Sequence, residues 1–394
     1  MGDAPVTLAD VLRRGRVVVC CGTGGVGKTT TAAALALEAA RLGRRAAVVT
    51  IDPARRLADA LGVGELSNDP QRVPVEVLGD AVEGELWALM LDTRTTFDAL
   101  VTRYAGDARQ AERILANPFY RNISGRLSGT QEYMAAEKLF ELAHDDRFDL
   151  VVVDTPPARN ALDFLDAPER LTRFLDHRFY RALMAPTRVY LRAVNVAAQA
   201  FLRGVSRVVG GEVIADALAF FQAFDGMEAG FRTRATAVDA LLRSPDTTYV
   251  LVAAPRTDAV AEATWFSDRL ADLGLAVGAL VVNRAHPAFG EASSPPAGAD
   301  GALAPWWRNL AELHAVAAAE RAHVAALAAH LAPAPTVIVP LQSTDVHDLA
   351  GLRRLTASLV GDPLVAGAPR VAGAPRVAPA SKVARGSSSG RRRR

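Results

Sequence analysis

The feature of this sequence that most constrains its fold is the glycine-rich segment Gly22–Thr29, which has the sequence GTGGVGKT. It follows the apolar run Val17–Val19 and precedes the alanine-rich run Thr31–Arg41. Runs of this kind predict a short buried strand and a helix. The segment satisfies G-x-x-x-x-G-K-[ST] at each fixed position, in the strand–loop–helix context that a phosphate-binding loop requires. We therefore predict a phosphate-binding loop, with an ordinary glycine-rich turn as the alternative.

The residue types of this loop suit a nucleoside triphosphate with Mg²⁺. Glycines let the backbone curl so that N–H groups point at phosphate oxygens, and the helix N-terminus adds its positive dipole end. Lys28, also a predicted catalytic residue, would neutralise charge on the β- and γ-phosphates, and the Thr29 hydroxyl would ligate the metal. The predicted nucleotide-binding residues of the loop are Gly22, Thr23, Gly24, Gly25, Val26, Gly27, Lys28, Thr29 and Thr30.

The composition favours a soluble protein with a large core. The chain has 394 residues, 50% of them hydrophobic, and a formal net charge of only +2. The small net charge gives no reason to expect specific nucleic-acid binding. The N-terminus lacks the basic and apolar regions of a signal peptide, and no apolar run is long enough to span a bilayer, so we expect a cytoplasmic protein. Cys20 and Cys21 are adjacent, which disfavours a structural disulfide between them and provides no thiolate metal site.

Apolar runs alternate with helical patterns along most of the chain. The predicted strands are at 17–19, 46–51, 87–92, 148–153, 249–254, 276–282 and 336–340. This alternation predicts an α/β fold, with a mostly parallel twisted sheet covered by helices as in P-loop NTPases. Helical insertions are predicted at about 95–145, interrupted by a loop at 117–130, and at about 168–244.

The end of the sequence has a different character from the rest. The hexapeptide VAGAPR occurs at 365–370 and again at 371–376, and four arginines end the chain. Such a segment cannot bury enough apolar surface to fold. We predict one P-loop domain over residues 1–362 and a disordered Pro/Ala/Arg-rich tail over 363–394. A solvated tail is the simplest interpretation, and weak contact with anionic lipid or RNA is the alternative.

Two aspartates, Asp52 and Asp154, each follow a predicted strand. Ligands of open α/β sheets gather at such strand ends. Asp154 is therefore the natural acid to hold Mg²⁺, directly or through water, although a strand-end turn residue would have the same pattern. Asp52 could orient or deprotonate an attacking water, but Asp-Pro as a helix N-cap and first helical residue explains the dipeptide equally well. Arg55 and Arg56 could meet phosphate or face solvent.

Several segments together resemble one known family. They are Gly22–Thr30, TIDPARRL at 50–57, SGTQE at 128–132, VVVDTPPA at 151–158, Val282–Asn283 and Val339–Leu341. In this combination the chain resembles the ATPase family of the arsenical pump and of the guided-entry factor for tail-anchored membrane proteins. The similarity is collinear from about residue 14 to residue 360.

The resemblance implies an ATP-hydrolysing, Mg²⁺-dependent dimer that nucleotide opens and closes. It implies that Asp52 is a catalytic residue that activates water and that Asp154 is the acid on the Mg²⁺ side. It also implies that Asn283, Pro340 and Leu341 bind the adenine end of the nucleotide. The segments that follow the two aspartates would be the switches.

The sequence departs from this family at three places. Thr23 occupies the position of the family's signature lysine, which reaches the partner's phosphates across the dimer. One possibility is that a paralogous subunit supplies that lysine, as in the paired guided-entry-like ATPases of actinobacteria that the chain resembles. The other is that a different residue, such as Arg55, takes its place. We favour the heterodimer over a homodimer. The interface Cys-x-x-Cys and the metalloid-binding cysteines are absent, so neither zinc nor arsenite is expected. The second switch, Pro156–Asp163, lacks the family's glycine.

The helical block at 168–244 lies where the targeting factors build a hydrophobic client groove. The residues that could line such a groove are Phe174, Phe179, Tyr180, Leu183, Met184, Tyr190, Val194, Phe201, Phe220, Phe221, Phe224 and Met227. Apolar helix faces are core by default, so packing within the block is the alternative. The favoured function is an ATPase switch that handles a hydrophobic client or membrane protein. A low-turnover regulatory subunit of a heteromeric ATPase is the second hypothesis, and a partition-type ATPase is a weaker third.

Overall fold

The computed structural model of the chain describes residues 7–51, 56–74, 82–123, 129–177, 211–287 and 303–360. One eight-stranded sheet runs through this part of the chain. Its strands are β1 (Val17–Gly22), β2 (Arg45–Thr50), β3 (Gln71–Arg72), β4 (Glu85–Met90), β5 (Leu150–Asp154), β6 (Thr247–Ala253), β7 (Val277–Ala285) and β8 (Thr336–Pro340). Their order in the sheet is β3-β4-β2-β5-β1-β6-β7-β8. All neighbouring strands are parallel except β3 and β4, which confirms the predicted α/β fold.

Helices connect the strands and cover the sheet. They are α1 (Leu8–Arg14), α2 (Lys28–Arg41), α3 (Arg56–Leu61), α4 (Thr93–Tyr104), α5 (Ala108–Ala116), α6 (Pro118–Ile123), α7 (Thr130–Ala143), α8 (Ala158–Asp176), α9 (Gly211–Ala223), α10 (Glu228–Leu242), α11 (Thr257–Asp272), α12 (Ala304–His330) and α13 (Leu349–Val360). No helix in these described ranges is both long enough and apolar enough to cross a bilayer.

The strand β1 lies at the centre of the sheet because it is apolar on both faces. Side chains alternate between the two faces of a strand. Val18 and Cys20 accordingly belong to one core cluster, which includes the alanines of α2 and the leucines of α13. Val17 and Val19 belong to a second cluster on the other face, together with apolar residues of α7, α8 and α11. The glycine-rich segment that follows β1 is therefore held in the middle of the sheet, at the carboxyl ends of its parallel strands.

A third core cluster joins the helices of the two predicted insertions. Tyr120 of α6 stacks on Phe220 of α9, with ring centroids 5.9 Å apart, and Met227 is also buried in this cluster. The candidate groove residues that the structure describes therefore differ in burial. Phe220, Phe224 and Met227 are core residues, whereas Phe174 is exposed. The other candidates from Phe179 to Phe201 lie outside the described residues.

The structure differs from the sequence-based prediction in several local features. The predicted loop at 117–130 is wrong for Pro118–Ile123, which form α6. The helix α8 begins at Ala158 rather than near residue 168 and contains Pro168. The antiparallel strand β3 was not predicted, since two exposed polar residues carry no strand pattern. The division into a domain of residues 1–362 and a tail stays a prediction, and 363–394 lie outside the described residues.

Candidate functional site

The glycine-rich loop leaves β1 and enters α2 through backbone that only glycine adopts easily. Gly22 ends β1 with φ 152°, and Gly27 precedes α2 with φ 95°. A Cβ atom on Gly22 would overlap the carbonyl oxygen of Val252, and one on Gly27 would overlap the side-chain amide of Asn283. Glycine at both positions therefore allows the loop to lie against β6 and β7 without a steric clash.

The start of α2 concentrates positive charge inside this loop. No acidic residue occupies the first turn of the helix, so its positive dipole end is not offset by its own side chains. Lys28 is only 8% exposed, and its Nζ donates a 2.8 Å hydrogen bond to the carbonyl oxygen of Thr23. The lysine is thereby folded over the loop, where it can meet an anion that binds the backbone N–H groups.

A carboxylate and two hydroxyl groups meet beside the start of α2. In the sheet Asp154 is in register with Cys20 on one side and Thr50 on the other. The Asp154 side chain is 1% exposed, and its Oδ2 accepts hydrogen bonds of 2.7 Å from Thr29 Oγ1 and 2.9 Å from Thr50 Oγ1. Mg²⁺ prefers hard oxygen ligands of this type. The adjacent hydroxyl of Thr29 and carboxylate of Asp154 therefore fit a Mg²⁺ ion held next to bound phosphate.

The segment that follows Asp154 is tied to the central strand. Thr155 donates a 2.6 Å hydrogen bond from Oγ1 to the carbonyl oxygen of Cys20. After Pro157 the chain turns directly into α8. The predicted second switch is thus the connection between the site and a helix that packs against the helical insertions.

The two cysteines beside the loop are buried thiols. Burial is the main cause that raises the pKa of Cys20 well above its ordinary value, with a further contribution from the negative charge of Asp154. Burial also raises the pKa of Cys21 to about 12. A thiol in such surroundings keeps its proton and is a poor nucleophile. Neither cysteine is therefore a candidate for the chemistry of this site.

The ends of β7 and β8 form the opposite side of the site. Asn283 is buried and donates a 2.8 Å hydrogen bond from Nδ2 to the carbonyl oxygen of Val26 in the loop. The next residue, Arg284, donates from Nη1 to the carbonyl oxygen of Gly25 at 3.0 Å. The backbone N–H of Leu341 donates to the carbonyl oxygen of Ala285 at 2.8 Å. These contacts bring two distant strand ends to the glycine-rich loop.

Between these parts lies a cavity of about 490 Å³. This volume is in the range of small-molecule and cofactor sites. Its lining residues are Gly24, Gly25, Gly27, Lys28, Thr29, Thr30, Arg56, Asp59, Thr155, Pro157, Asn283, Arg284, Pro340, Leu341, Gln342, Thr344, Asp345, Val346, His347 and Leu355. The cavity is thus bounded by the glycine-rich loop and by the ends of β7 and β8.

The sequence of this chain is similar to that of known proteins. The sequence matches the family described as anion-transporting ATPase over residues 15–361. The chain belongs to the anion-transporting ATPase family. The ATPase GET3 of Malassezia globosa is 30% identical over 173 residues, which are 43% of this chain and 48% of that protein. An uncharacterized protein of Streptomyces coelicolor is 33% identical over 276 residues, 69% of this chain and 63% of the relative.

A third relative is similar to this chain over most of its length. A putative arsenical pump-driving ATPase of Aquifex aeolicus is 22% identical over 353 residues, which are 88% of this chain and 79% of the relative. The match spans about half the length of the Malassezia relative and less than two thirds of the Streptomyces relative. The predicted resemblance is confirmed by the family match.

The cavity of this family member brings together most of the predicted site residues. Gly24, Gly25, Gly27, Lys28, Thr29, Thr30, Asn283, Pro340 and Leu341 line it. The remaining loop residues Gly22, Thr23 and Val26 do not belong to the lining, and Asp154 lies behind Thr29, to which it is hydrogen bonded. The predicted catalytic residue Asp52, and with it Arg55, lies outside the described residues.

Sequence reasoning missed part of the lining. Arg284 and Thr155 had no assigned role, and Arg56 was left between phosphate and solvent. Most of the segment 342–347 was also missed, namely Gln342, Thr344, Asp345, Val346 and His347. It follows β8 directly, so the rule that ligands gather at carboxyl ends of parallel strands could have found it. Nothing in the local sequence marks Arg284, because its place depends on how β7 packs beside the loop.

Proposed function

We propose that this protein binds and hydrolyses ATP with Mg²⁺ and works as a nucleotide-dependent switch. The observation that supports this most directly is the cavity described above. One end has the glycine loop with Lys28 and the hydrogen-bonded pair Thr29 and Asp154. The other end has the strand-end residues Asn283 and Leu341. A nucleotide has a charged triphosphate and an uncharged base, so its binding cavity requires two ends with these different chemistries.

At the phosphate end, each group of the loop has a distinct task. The N–H groups at the start of α2 bind phosphate oxygens, and Lys28 offsets their negative charge. Thr29 and Asp154 would hold Mg²⁺, which when bound neutralises charge that develops on the phosphate oxygens. At the other end, Asn283, Pro340 and Leu341 bind the nucleoside. We assign Asp52, outside the described residues, as the group that orients and deprotonates the attacking water.

The proposal is tested first by ATP binding and phosphate release. We expect Lys28→Ala to reduce ATP affinity strongly and Asp52→Asn to preserve binding while turnover falls by about two to four orders of magnitude, as for loss of a general base. Calorimetric titration with ATP and a phosphate-release assay measure the two effects. A parent protein that does not bind ATP, or a Lys28→Ala variant that behaves like the parent, would contradict the proposal.

Asp154 can be tested against a matched control at the other end of the same strand. Asp149 immediately precedes β5, is partly exposed and bonds Arg45. We expect Asp154→Asn to weaken Mg²⁺-dependent ATP binding and turnover, because an amide is a poorer metal ligand than a carboxylate. We expect Asp149→Asn to leave both unchanged. Titration of Mg²⁺ at constant ATP distinguishes them, and equal effects would remove Asp154 from the metal site.

We further propose that the active form is a dimer with a paralogous subunit and that nucleotide exchange is coupled to a hydrophobic client or membrane protein. Thr23 supports the heterodimer, since it is neutral and only 4% exposed and so offers no cation to a second subunit. The direct contact of Thr155 with β1, next to α8, supports coupling between site and helical region. Purification of the tagged chain under native conditions tests both, because a paralogue and any client would be recovered together.

The same observation at Thr23 favours a second candidate, a nucleotide-binding subunit with little turnover of its own. Both candidates expect little turnover from the isolated chain, so the assay is made with and without the paralogue. Efficient single-chain turnover in a tight homodimer would exclude both the regulatory role and the need for a partner. Tight ATP binding with turnover only after addition of the paralogue would support the heterodimer. A location in the cytoplasm remains part of this proposal.

A further inference from the structure

Arg284 has an unusual backbone at the edge of the candidate site. Within the described ranges it is the one non-glycine residue with positive φ, at 62°. A residue with a Cβ atom pays an energetic cost in this conformation. Such strain persists only where the surroundings enforce it, and it is common at ligand-binding positions. The position of Arg284 therefore calls for a functional explanation.

The neighbours of Arg284 hold it in place from both sides. Its backbone N–H donates to Asn283 Oδ1 at 3.0 Å, and the strand pairing with β8 shifts register between Val282 and Ala285. On the following side, Glu320 of α12 accepts from the backbone N–H of His286 and contacts its Nδ1, both at 2.7 Å. Asn283, directly before Arg284, and His286, two positions after it, are thus fixed to other groups, which leaves Arg284 little freedom to relax.

The enforced conformation places the Arg284 side chain at the glycine-rich loop. Its Nη1 donates to the carbonyl oxygen of Gly25 at 3.0 Å, and both residues line the cavity. Arg284 is an exposed residue, so its charge is delivered into the cavity without the cost of full burial. A guanidinium group has five N–H donors in a fixed plane and is well suited to phosphate oxygens.

We propose that Arg284 binds the phosphate groups of the nucleotide together with Lys28. This inference rests on the nucleotide site proposed above and adds a second phosphate-binding cation to it. Contact with phosphate is favoured over stacking on the base because the guanidinium is positively charged and is held at Gly25, within the loop whose N–H groups bind phosphate. Asn283 also contacts this loop, at Val26, but its amide is neutral. Asn283 and Leu341 keep their proposed role of binding the nucleoside.

Three variants of Arg284 separate the side chain from the strained backbone. Arg284→Gly removes the guanidinium and adopts positive φ without strain, Arg284→Ala removes it and keeps the strain, and Arg284→Lys keeps the charge. Arg256→Ala is the matched control, because Arg256 is an exposed arginine paired with Asp258 and does not line the cavity. Affinities for ATP, ADP and adenosine are measured by calorimetry with Mg²⁺ at constant ionic strength.

We expect Arg284→Gly and Arg284→Ala to weaken ATP binding by about tenfold or more, as for loss of a hydrogen bond between charged groups. Adenosine affinity should stay unchanged, Arg284→Lys should retain part of the ATP affinity, and Arg256→Ala should behave like the parent. Thermal unfolding without nucleotide identifies any variant that fails to fold, and the glycine variant has no backbone reason to do so.

Two outcomes would overturn the role of Arg284 while the nucleotide site stands. One is unchanged ATP affinity in the glycine variant when the parent binds ATP and Lys28→Ala does not. The other is an equal loss of adenosine and ATP affinity, which would show contact with the nucleoside instead of phosphate. A parent protein that binds no ATP would refute the proposed function itself, together with this inference.

Discussion

At the scale of single residues, backbone geometry decides which glycines of the loop are required. Gly27 has positive φ and its α-carbon faces the side-chain amide of Asn283. Gly24, in the same loop, is absent from the positive-φ residues and has no other heavy atom near the position of a Cβ. A Cβ atom would therefore clash at Gly27 and have free space at Gly24.

The first prediction compares alanine at these two positions. We expect Gly27→Ala to lower the free energy of unfolding by about 1–2 kcal/mol from left-handed backbone strain alone, and further through displacement of Asn283. Gly24→Ala should change stability by no more than about 0.5 kcal/mol, as is usual for exposed sites. Urea denaturation of the two variants measures both effects. Equal stability losses would contradict the geometry described for the loop.

The second prediction concerns the buried thiols. Cys20 and Cys21 hold their protons in the folded state because burial raises the pKa of both. Iodoacetamide at pH 8 should therefore leave both cysteines of the native protein unmodified and alkylate both in urea, as mass spectrometry would show. Rapid modification without urea would mean that β1 opens readily.

The same pKa shifts give a pH dependence of stability. In the unfolded chain the thiols lose protons near their ordinary pKa of 9.0, whereas folded Cys21 keeps its proton up to about pH 12. Between these pH values the folded state binds more protons, so the free energy of unfolding falls as pH rises. We expect Cys21→Ala to flatten this part of the pH profile measured by urea denaturation. An unchanged slope would assign the alkaline loss to other groups.

At the scale of secondary structure elements, α11 shows how one helix divides between core and solvent. Phe266 is 0% exposed and packs among the side chains between this helix and the sheet, whereas Trp265 next to it is 40% exposed. Adjacent helical residues point about 100° apart. The helix therefore stabilises the sheet through one narrow face.

The third prediction uses this pair of neighbours. We expect Phe266→Ala to cost about 3–5 kcal/mol, the usual range for removal of a fully buried aromatic side chain. Trp265→Ala should cost much less, because much of the ring already contacts water. Denaturant unfolding at constant pH measures both values. A larger loss for Trp265→Ala would place the core on the other face of α11.

At the scale of the whole molecule, the cavity joins segments that are far apart in the sequence. Its lining extends from Gly24 in the loop after β1 to Leu355 in α13. A ligand in the cavity would contact the centre of the sheet and its β8 edge at once. Binding should therefore stabilise the folded domain as a unit.

The fourth prediction follows from this arrangement. A ligand that binds only the folded state at 100 times its dissociation constant adds about 2.7 kcal/mol of stability. We expect ATP with Mg²⁺ to raise the thermal midpoint of the parent chain, and to leave that of Lys28→Ala unchanged at the same concentration. Circular dichroism melts measure both. An equal shift in the two proteins would indicate ATP binding elsewhere.

Local patterns in the sequence predicted where the glycine-rich loop, Asp154 and most strands lie, while the roles of the loop and of Asp154 stay predictions. The loop is defined by a short run of glycines between an apolar strand and a helix, and each of these features is local. The position of Asp154 follows from the apolar run that it ends. The strand-end rule then brings both to the same edge of the sheet, as the hydrogen bond from Thr29 to Asp154 shows.

Other features depended on tertiary structure. No local pattern predicts that Arg284 contacts Gly25, because that contact depends on the register shift between β7 and β8 and on α12. Phe220 could equally have lined a groove, and its packing among aromatic rings that include Tyr120, Phe119 and Phe224 makes it core. Sequence patterns report which residues are apolar and which segments are regular. Packing between segments that are distant in the sequence decides which surfaces meet, because this packing buries apolar area.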